Sequence, residues 1–233
     1  MRRFVTRLGL GVCACAAASA SELFVLTDPS GLSAEAEFTL INPTTLEVRL
    51  RNTSTDVPDG FDSSDQILTG VSWDFGQVGI HASDPEITGG SVLIGAASQS
   101  LNFSTGSYGA GHDVSGEYGF GNANGSGALI NFVSGNTAGA TPFGGPNLDG
   151  PANIDGPQGG LVANPALVAL GGLGAIQDEI VATLTLDQAL SDLQFLYDNF
   201  VRVEFGSDAA FITTPEPGTL ALLVLGGLAL RRR

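Results

Sequence analysis

Lysine is absent from this sequence, and its nine arginines are unevenly placed. Six of them occupy the two chain ends, at positions 2, 3 and 7 and at positions 231 to 233. The other three, Arg49, Arg51 and Arg202, accompany all 24 carboxylates in the interior, whose formal charge is therefore −21. Because so few cations cannot neutralise a run of phosphates, this composition disfavours nucleic-acid binding.

Cysteine is rare as well. The two that occur, Cys13 and Cys15, lie within the first 20 residues. If that segment is removed on export, no disulfide can form within the remaining chain. Side-chain packing, with or without help from a metal ion, must then stabilise the fold.

Residues that commonly carry catalysis are scarce. His81 and His112 are the only histidines, and neither a G-x-S-x-G nor an H-E-x-x-H motif occurs. His112, Asp113 and Ser115 are neighbours in a glycine-rich stretch, which is not a triad geometry. Paired carboxylates could hydrolyse glycosides, but among 24 acids some pair approaches closely by chance. We therefore expect a non-enzymatic protein, with a secreted hydrolase as the third alternative.

The N-terminus has the order of features of a signal peptide. An arginine-rich start precedes a short apolar stretch, and the small residues Ala18 and Ala20 follow. Signal peptidase reads small side chains at these two positions, so we predict a signal peptide over residues 1–20, cleaved before Ser21. A short buried helix and a lipoprotein cleaved before Cys15 are the alternatives.

The C-terminus has a second pattern related to export. Pro215, Glu216 and Pro217 break any preceding regular structure, and an apolar run over residues 218–230 follows. At about 1.5 Å per residue this run covers about 20 Å, against roughly 30 Å of hydrocarbon. We expect a short transmembrane helix that is held only transiently, with a permanent tail anchor as the alternative.

The chain closes with Arg231, Arg232 and Arg233, which would stay cytoplasmic by the positive-inside rule and leave the body outside. The tail over residues 214–233 resembles the PEP-CTERM sorting signal of Gram-negative bacteria. Three features in fixed order carry the resemblance: Pro-Glu-Pro, a short apolar helix and a terminal Arg cluster. It implies handling by a membrane-embedded exosortase, removal of the tail near Pro-Glu-Pro, and delivery to the cell surface or the exopolysaccharide matrix.

The body over residues 21–213 has a dominant period of two, with apolar and polar side chains alternating as in half-buried strands. Two such segments, joined by a proline-containing turn, predict a hairpin. In the register drawn from this pattern, Arg49 and Arg51 lie across from Glu35 and Glu37. Such exposed cross-strand pairs stabilise a sheet by about 0.2 to 1 kcal/mol each.

Further strands are predicted at residues 67–75, 91–96, 117–120, 128–133, 179–186, 200–205 and 209–212. The stretch over residues 186–196 is ambiguous and could hold a helical turn. Many short strands separated by Gly, Asn, Asp and Pro turns predict an all-β fold. We expect a single-domain β-sandwich or jelly roll with long Gly/Asn-rich loops.

Between residues 105 and 160 the composition shifts to Gly, Asn, Ser and Pro. This shift predicts a functional or partly disordered loop rather than core. A six-residue repeat within it aligns Asn147 and Asp149 with Asn153 and Asp155. Two copies do not make a solenoid, but two successive Asp-Gly turns would present side-chain oxygens on the same side.

Calcium is the candidate cofactor, because it binds about six to eight oxygens and the body is rich in carboxylates and Asn side chains. One candidate metal cluster recurs every third residue and comprises Asp56, Asp59, Asp62 and Asp65. The other is the repeat described above. Neither matches the loop of an EF-hand, and solvated acidic loops are the alternative interpretation.

Two tyrosines are candidate ligand-binding residues. Exposed aromatic rings offer apolar platforms for sugar rings, and nearby polar side chains complete the contacts. Tyr108 and Tyr118, within the Gly-rich stretch, are the predicted platforms. Trp73 alternates with Val71 and Phe75 in a predicted strand, so we expect it in the core.

These features together predict an exported, acidic, non-enzymatic protein with a structural or adhesive role in a biofilm or exopolysaccharide matrix. Its expected partners are signal peptidase and exosortase during export, the inner membrane transiently through the C-terminal helix, and extracellular polysaccharide. The alternative function is a secreted carbohydrate-binding, lectin-like module assisted by calcium.

Overall fold

The computed structural model describes residues 20–56, 65–76, 84–122, 131–136, 140–145, 148, 158–167, 172–207 and 210–214. The predicted signal peptide up to residue 19 and the sorting tail from residue 215 lie outside the described residues. In chain order the strands are β1 (Ala20–Thr27), β2 (Ser33–Asn42), β3 (Thr45–Asn52), β4 (Leu68–Trp73), β5 (Ile87–Ile94), β6 (Gln99–Leu101), β7 (Gly119–Gly121), β8 (Asn131–Ser134), β9 (Thr141–Pro142), β10 (Leu161–Val162), β11 (Ala175–Gln177), β12 (Glu179–Leu186), β13 (Val201–Phe205) and β14 (Ala210–Thr213).

The strands form two sheets. One is five-stranded and antiparallel, in the order β1-β2-β3-β12-β5. The other has the order β6-β11-β10-β4-β8-β7-β9, and β13 lies beside β4 and also pairs with β14. Among the residues that the structure describes, helix is limited to one turn, α1 (Phe195–Asp198), and a 3-10 turn at Ser115–Glu117. The predicted all-β class is therefore confirmed.

The β2–β3 hairpin forms as its alternation predicts. The register places Glu35 opposite Arg51 and Glu37 opposite Arg49. The turn is closed by Asn42, whose Oδ1 accepts a hydrogen bond of 3.0 Å from the backbone N–H two residues ahead. A shift by one residue would turn the apolar face outward, so burial determines this register.

The inner faces of the two sheets share one core. Phe38 on β2 and Trp73 on β4 meet edge to face, with ring centroids 5.3 Å apart. Both residues are completely buried, and Ile180 from β12 and Val203 from β13 belong to the same cluster. The predicted core position of Trp73 is confirmed.

The chain crosses from one sheet to the other at Asp178, the single residue between β11 and β12. Its N–H donates to the Val162 carbonyl at 2.8 Å on the second sheet. Its carbonyl accepts a bond of 3.0 Å from the N–H of Asn52 on the first. Backbone hydrogen bonds to both sheets therefore hold the chain at this crossing. The φ angle of Asp178 is +82°, which lies in the left-handed region.

One strand begins earlier than its sequence pattern predicts. The strand β5 starts at Ile87, not at residue 91. Glycines at positions 89 and 90 interrupt the apolar alternation, which hides this half of the strand. At Gly90 a Cβ would lie 2.1 Å from the Thr183 carbonyl oxygen on β12, so close approach of two strands requires glycine here.

The Gly-rich stretch between residues 105 and 160 contributes to the core, contrary to expectation. Val114, Tyr118, Phe120 and Val133 are buried members of the main cluster. The prediction of loop rather than core is wrong for these residues. A few large side chains, spaced among glycines and serines, are enough to attach β7 and β8 to the second sheet.

Membrane-spanning structure was predicted only for the tail, which lies outside the described residues. Within the part of the chain that the structure describes, no helix has the length and apolar character to cross a membrane.

Candidate functional site

The predicted processing residues lie almost entirely outside the described residues. Ala18, Pro215, Glu216, Pro217 and the three terminal arginines are among those not described. Ala20 is described and is the first residue of β1, where it pairs with Leu40. The predicted cleavage point before Ser21 thus coincides with the beginning of an edge strand.

The candidate calcium ligands are also largely outside the described residues. Asp56 and Asp65 are described, and they flank residues 57–64, which contain the other two members of the first cluster, Asp59 and Asp62. All four residues of the repeat, Asn147, Asp149, Asn153 and Asp155, are outside as well. Among the residues that are described, no three His, Cys, Asp or Glu side chains come together as a possible metal site.

Tyr118 lies in the core and does not offer an exposed ring. The residue is 1% exposed, and its hydroxyl donates a hydrogen bond of 2.9 Å to the Gly159 carbonyl. Burial, with a smaller contribution from the nearby Glu117 carboxylate, raises the pKa of Tyr118 far above that of a free tyrosine. The prediction of Tyr118 as a sugar platform is wrong, because its side chain is buried in the core.

Tyr108 is partly accessible. Its ring stacks on the imidazole of His112, with centroids 4.0 Å apart and an interplanar angle of 15°. It also packs against the edge of the core, near Phe103. The imidazole therefore covers one face of the ring.

The adjacency of His112, Asp113 and Ser115 has a structural explanation. Asp113 Oδ1 accepts hydrogen bonds from the Ser115 hydroxyl at 2.6 Å and from the Ser115 N–H at 2.9 Å. The same hydroxyl accepts the Val92 N–H at 2.8 Å. Ser115 is buried, so these bonds attach the 3-10 turn to β5 and do not present a nucleophile.

The outward side of the five-stranded sheet has a band of opposite charges, here called the charged face and comprising Glu35, Glu37, Arg49, Arg51 and Glu179. Arg49 lies 3.5 Å from Glu37 and 3.8 Å from Glu179. Arg51 lies 3.6 Å from Glu35, and its Nε donates to Asp178 at 2.6 Å. The hydrogen bond to Asp178 raises the pKa of the Arg51 guanidinium. Each cation is thus shared between carboxylates from two neighbouring strands.

A hollow of about 150 Å³ opens on the charged face and is bordered by Leu23 of β1. Leu23 is 55% exposed, and its neighbour on the same side of the strand, Val25, is 58% exposed. Charged donors and acceptors therefore lie next to an apolar rim. This combination suits a polar ligand with an apolar face, such as a sugar ring.

Sequence reasoning identified half of this site. The hairpin pairs followed from alternation, but Asp178 and Glu179 come from β12 and the crossing before it, about 130 residues further along the chain than Arg51. The one available signal was a pair of adjacent acids at the beginning of a predicted strand, Asp178 directly before it and Glu179 as its first residue.

Comparison with known proteins finds no matching family model, no similar curated protein and no similar solved structure.

Proposed function

We propose that this chain is an exported, non-enzymatic protein of the cell surface or the extracellular matrix, with a structural or adhesive role. The observation that carries the proposal is the order of features in the tail: Pro215-Glu216-Pro217, a short apolar run and a terminal Arg cluster. The matching signal-peptide pattern at the other end supports it. Signal peptidase and exosortase would act on the two ends, leaving the body outside after transient anchorage in the inner membrane.

The architecture of the body is consistent with this role. Two sheets around one core support a β-sandwich or jelly-roll arrangement. The large excess of carboxylates keeps such a domain soluble and attracts cations. These are properties that suit a protein in a hydrated polysaccharide layer.

Intact mass of the native protein tests the proposal. Protein recovered from the cell surface and the culture medium should begin at Ser21 and end near Pro215. Replacement of Glu216 by Gln together with alanine at both flanking prolines should leave the tail attached and the protein in the membrane fraction. The matched control is Glu47→Gln in the body, which should be processed normally. Recovery from the cytosol with both Met1 and Arg233 present would overturn the proposal.

Carbohydrate binding is the second candidate function, favoured by the hollow on the charged face. A lectin-like module would use the paired carboxylates and guanidinium groups for hydroxyl contacts and Leu23 as an apolar contact. Binding of purified exopolysaccharide should then weaken in Glu37→Gln and in Arg49→Gln. Thr185→Ser, an exposed change on the same sheet away from the hollow, serves as the control. Equal binding by all four proteins would remove this candidate.

A further inference from the structure

Arg202 lies on a strand of the second sheet that is paired on both sides. It lies on β13 with Ser72 of β4 on one side and Thr213 of β14 on the other. Its chain neighbours Val201 and Val203 are completely buried in the core. Because side chains alternate along a strand, the Arg202 guanidinium lies on the opposite, outward face of the sheet.

The electrostatic surroundings of Arg202 differ from those of the other two arginines of the body. Arg49 and Arg51 each contact two carboxylates. In the described parts of the chain, no carboxylate oxygen lies within 4.0 Å of the Arg202 guanidinium. Its polar contact is a long bond of 3.4 Å from Nε to the Ser72 hydroxyl. Burial lowers the pKa of Arg202, and the more distant Glu204 only partly offsets this effect.

Aromatic rings flank this cation. The guanidinium carbon lies 4.8 Å from the ring centroid of Phe211 and 5.9 Å from that of Phe200. Phe211 is 46% exposed, so part of its ring remains available to a ligand. Contacts with ring faces stabilise the cation and leave the edge of its planar N–H fork available for hydrogen bonds.

A small hollow lies beside the guanidinium. Its volume is about 20 Å³, and its walls include Ser72, Ser134, Phe132 and Phe211, together with the carboxylate residue Glu204. A space of this size holds about one water-sized group, so it excludes a whole sugar ring and admits one oxygen of a planar acid. A cation, a carboxylate, two hydroxyl groups and two aromatic rings thus line one small opening.

We propose that Arg202 and this hollow bind a carboxylate of an acidic polysaccharide, with the sugar ring lying against Phe211. The planar fork of an arginine matches the two oxygens of a carboxylate in a bidentate pair. The Ser72 and Ser134 hydroxyls border the same opening. The assignment of the ligand to a matrix polysaccharide rests on the proposed function, whereas the carboxylate preference rests on the geometry around Arg202.

Long-range repulsion limits such a ligand but does not prevent contact. The interior of the chain has a formal charge of −21, which opposes the approach of a polyanion. At about 0.15 M salt the Debye length is about 8 Å, so distant carboxylates are screened while a pair in contact is less affected. Glu204, which lines the same hollow, accepts a hydrogen bond of 3.0 Å at Oε1 from the Asn136 amide, and this contact offsets part of its repulsion of a bound carboxylate.

The test measures binding of oligogalacturonate to the purified processed protein at about 0.15 M salt, where the Debye length is about 8 Å. The fully methyl-esterified oligomer, which has the same rings without charge, is the ligand control. We expect Arg202→Gln to weaken binding at least about tenfold and Arg202→Lys to weaken it less, since lysine keeps the charge but not the fork. Thr185→Glu adds one negative charge at an exposed site on the other sheet and should bind as the parent does.

Other outcomes would overturn the proposal. Equal binding of the acid and its ester, or equal binding by Arg202→Gln and the parent, removes the carboxylate site. Selective binding of a sulfated oligomer instead of the carboxylate would also contradict it. If Arg202→Gln fails to fold, Arg202→Lys, which keeps the charge, and Phe211→Leu, which keeps an apolar side chain, decide: binding equal to that of the parent in both variants would overturn the proposal. Export and tail removal are measured separately, so failure of this site is distinguishable from failure of the proposed function.

Discussion

Arg51 and Asp178 are joined by a hydrogen bond of 2.6 Å between Nε and Oδ1, although 127 residues separate them in the chain. Arg51 ends the charged face on β3, and Asp178 is the residue at which the chain passes between the sheets. The side-chain bond adds to the two backbone bonds that already hold Asp178. One contact therefore connects the hairpin, the sheet crossing and the candidate site.

Replacing Asp178 separates the contribution of charge from that of backbone conformation. Asp178→Asn should lower the free energy of unfolding by about 1 kcal/mol, because the amide oxygen can still accept the bond from the partly exposed Arg51 but lacks the charge that strengthens it. Asp178→Ala should cost a further 1 to 2 kcal/mol or so, since alanine is strained at positive φ. Urea denaturation measures both values. Asp178→Gly should recover the stability that Asp178→Ala loses through backbone strain. Equal stability of the Ala and Gly variants would contradict this account.

Asn52 is expected to be among the least replaceable polar residues. Its buried Nδ2 donates to the carbonyls of Gln66 at 3.1 Å and Leu161 at 2.9 Å. Asn52→Ala should lower the free energy of unfolding by about 2 kcal/mol, and Asn52→Asp by about 3 to 5 kcal/mol, because a carboxylate would face two carbonyl oxygens. The control is Asn42→Asp in an exposed turn, expected within about 0.5 kcal/mol of the parent. Similar losses of stability from Asn52→Asp and Asn42→Asp would disprove the role of Asn52 in joining the Gln66 and Leu161 carbonyls.

Alkaline pH should destabilise the protein through Tyr118. Because burial raises its folded pKa, the unfolded chain releases this proton first, above about pH 10. Stability contributed by the neutral tyrosine is complete below that pH and declines by up to about 1.4 kcal/mol per pH unit above it. Tyr118→Phe should be less stable at neutral pH, having lost the bond to Gly159, but should show a shallower decline in urea titrations between pH 9 and 11 or so.

The matched variant for this pH effect is Tyr197→Phe. A hydrogen bond to Glu22 raises the pKa of Tyr197, but solvent screens this exposed pair. The variant should therefore retain most of the alkaline slope of the parent. If the free energies of unfolding of Tyr118→Phe and Tyr197→Phe both decline with pH in parallel with that of the parent, the buried Tyr118 hydroxyl is not the cause of the alkaline destabilisation.

Calcium should raise the melting temperature if either predicted cluster binds it. At a calcium concentration of about 100 times Kd, one site adds about 2.7 kcal/mol to the stability. The double variant Asp59→Asn, Asp62→Asn and the double variant Asp149→Asn, Asp155→Asn show which cluster is responsible. Asp192→Asn, an exposed acid outside both clusters, is the control. Identical melting curves of the parent in calcium and in chelator would exclude the prediction.

The hairpin shows how far sequence reasoning reaches. Alternation over β2 and β3 predicted both the buried face and the placing of Arg49 and Arg51 across from Glu35 and Glu37, because neighbouring strands joined by a short turn have few possible registers. The all-β class and the core position of Trp73 followed from the same period. Prediction was weaker where glycine interrupts the period, as in the first half of β5.

Tyr118 and Arg202 show where such reasoning stops. A tyrosine among glycines resembles an exposed loop residue, yet Tyr118 is buried and its hydroxyl donates to the carbonyl of Gly159, 41 residues further along the chain. Arg202 was recognisable as one of three interior cations, but its lack of a carboxylate within 4.0 Å among the described residues depends on which strands flank β13.

The sequence by itself determined the strand period, the class of fold, the hairpin register and the charge of the body, since each depends on residues close together in the chain. Its two ends also carry the patterns on which the proposed export rests. Only the tertiary structure decided which side chains are covered and which cations meet carboxylates, as in the contact of Arg51 with Asp178. Burial and ion pairing depend on strands brought together across more than 100 residues, and no local pattern records that order.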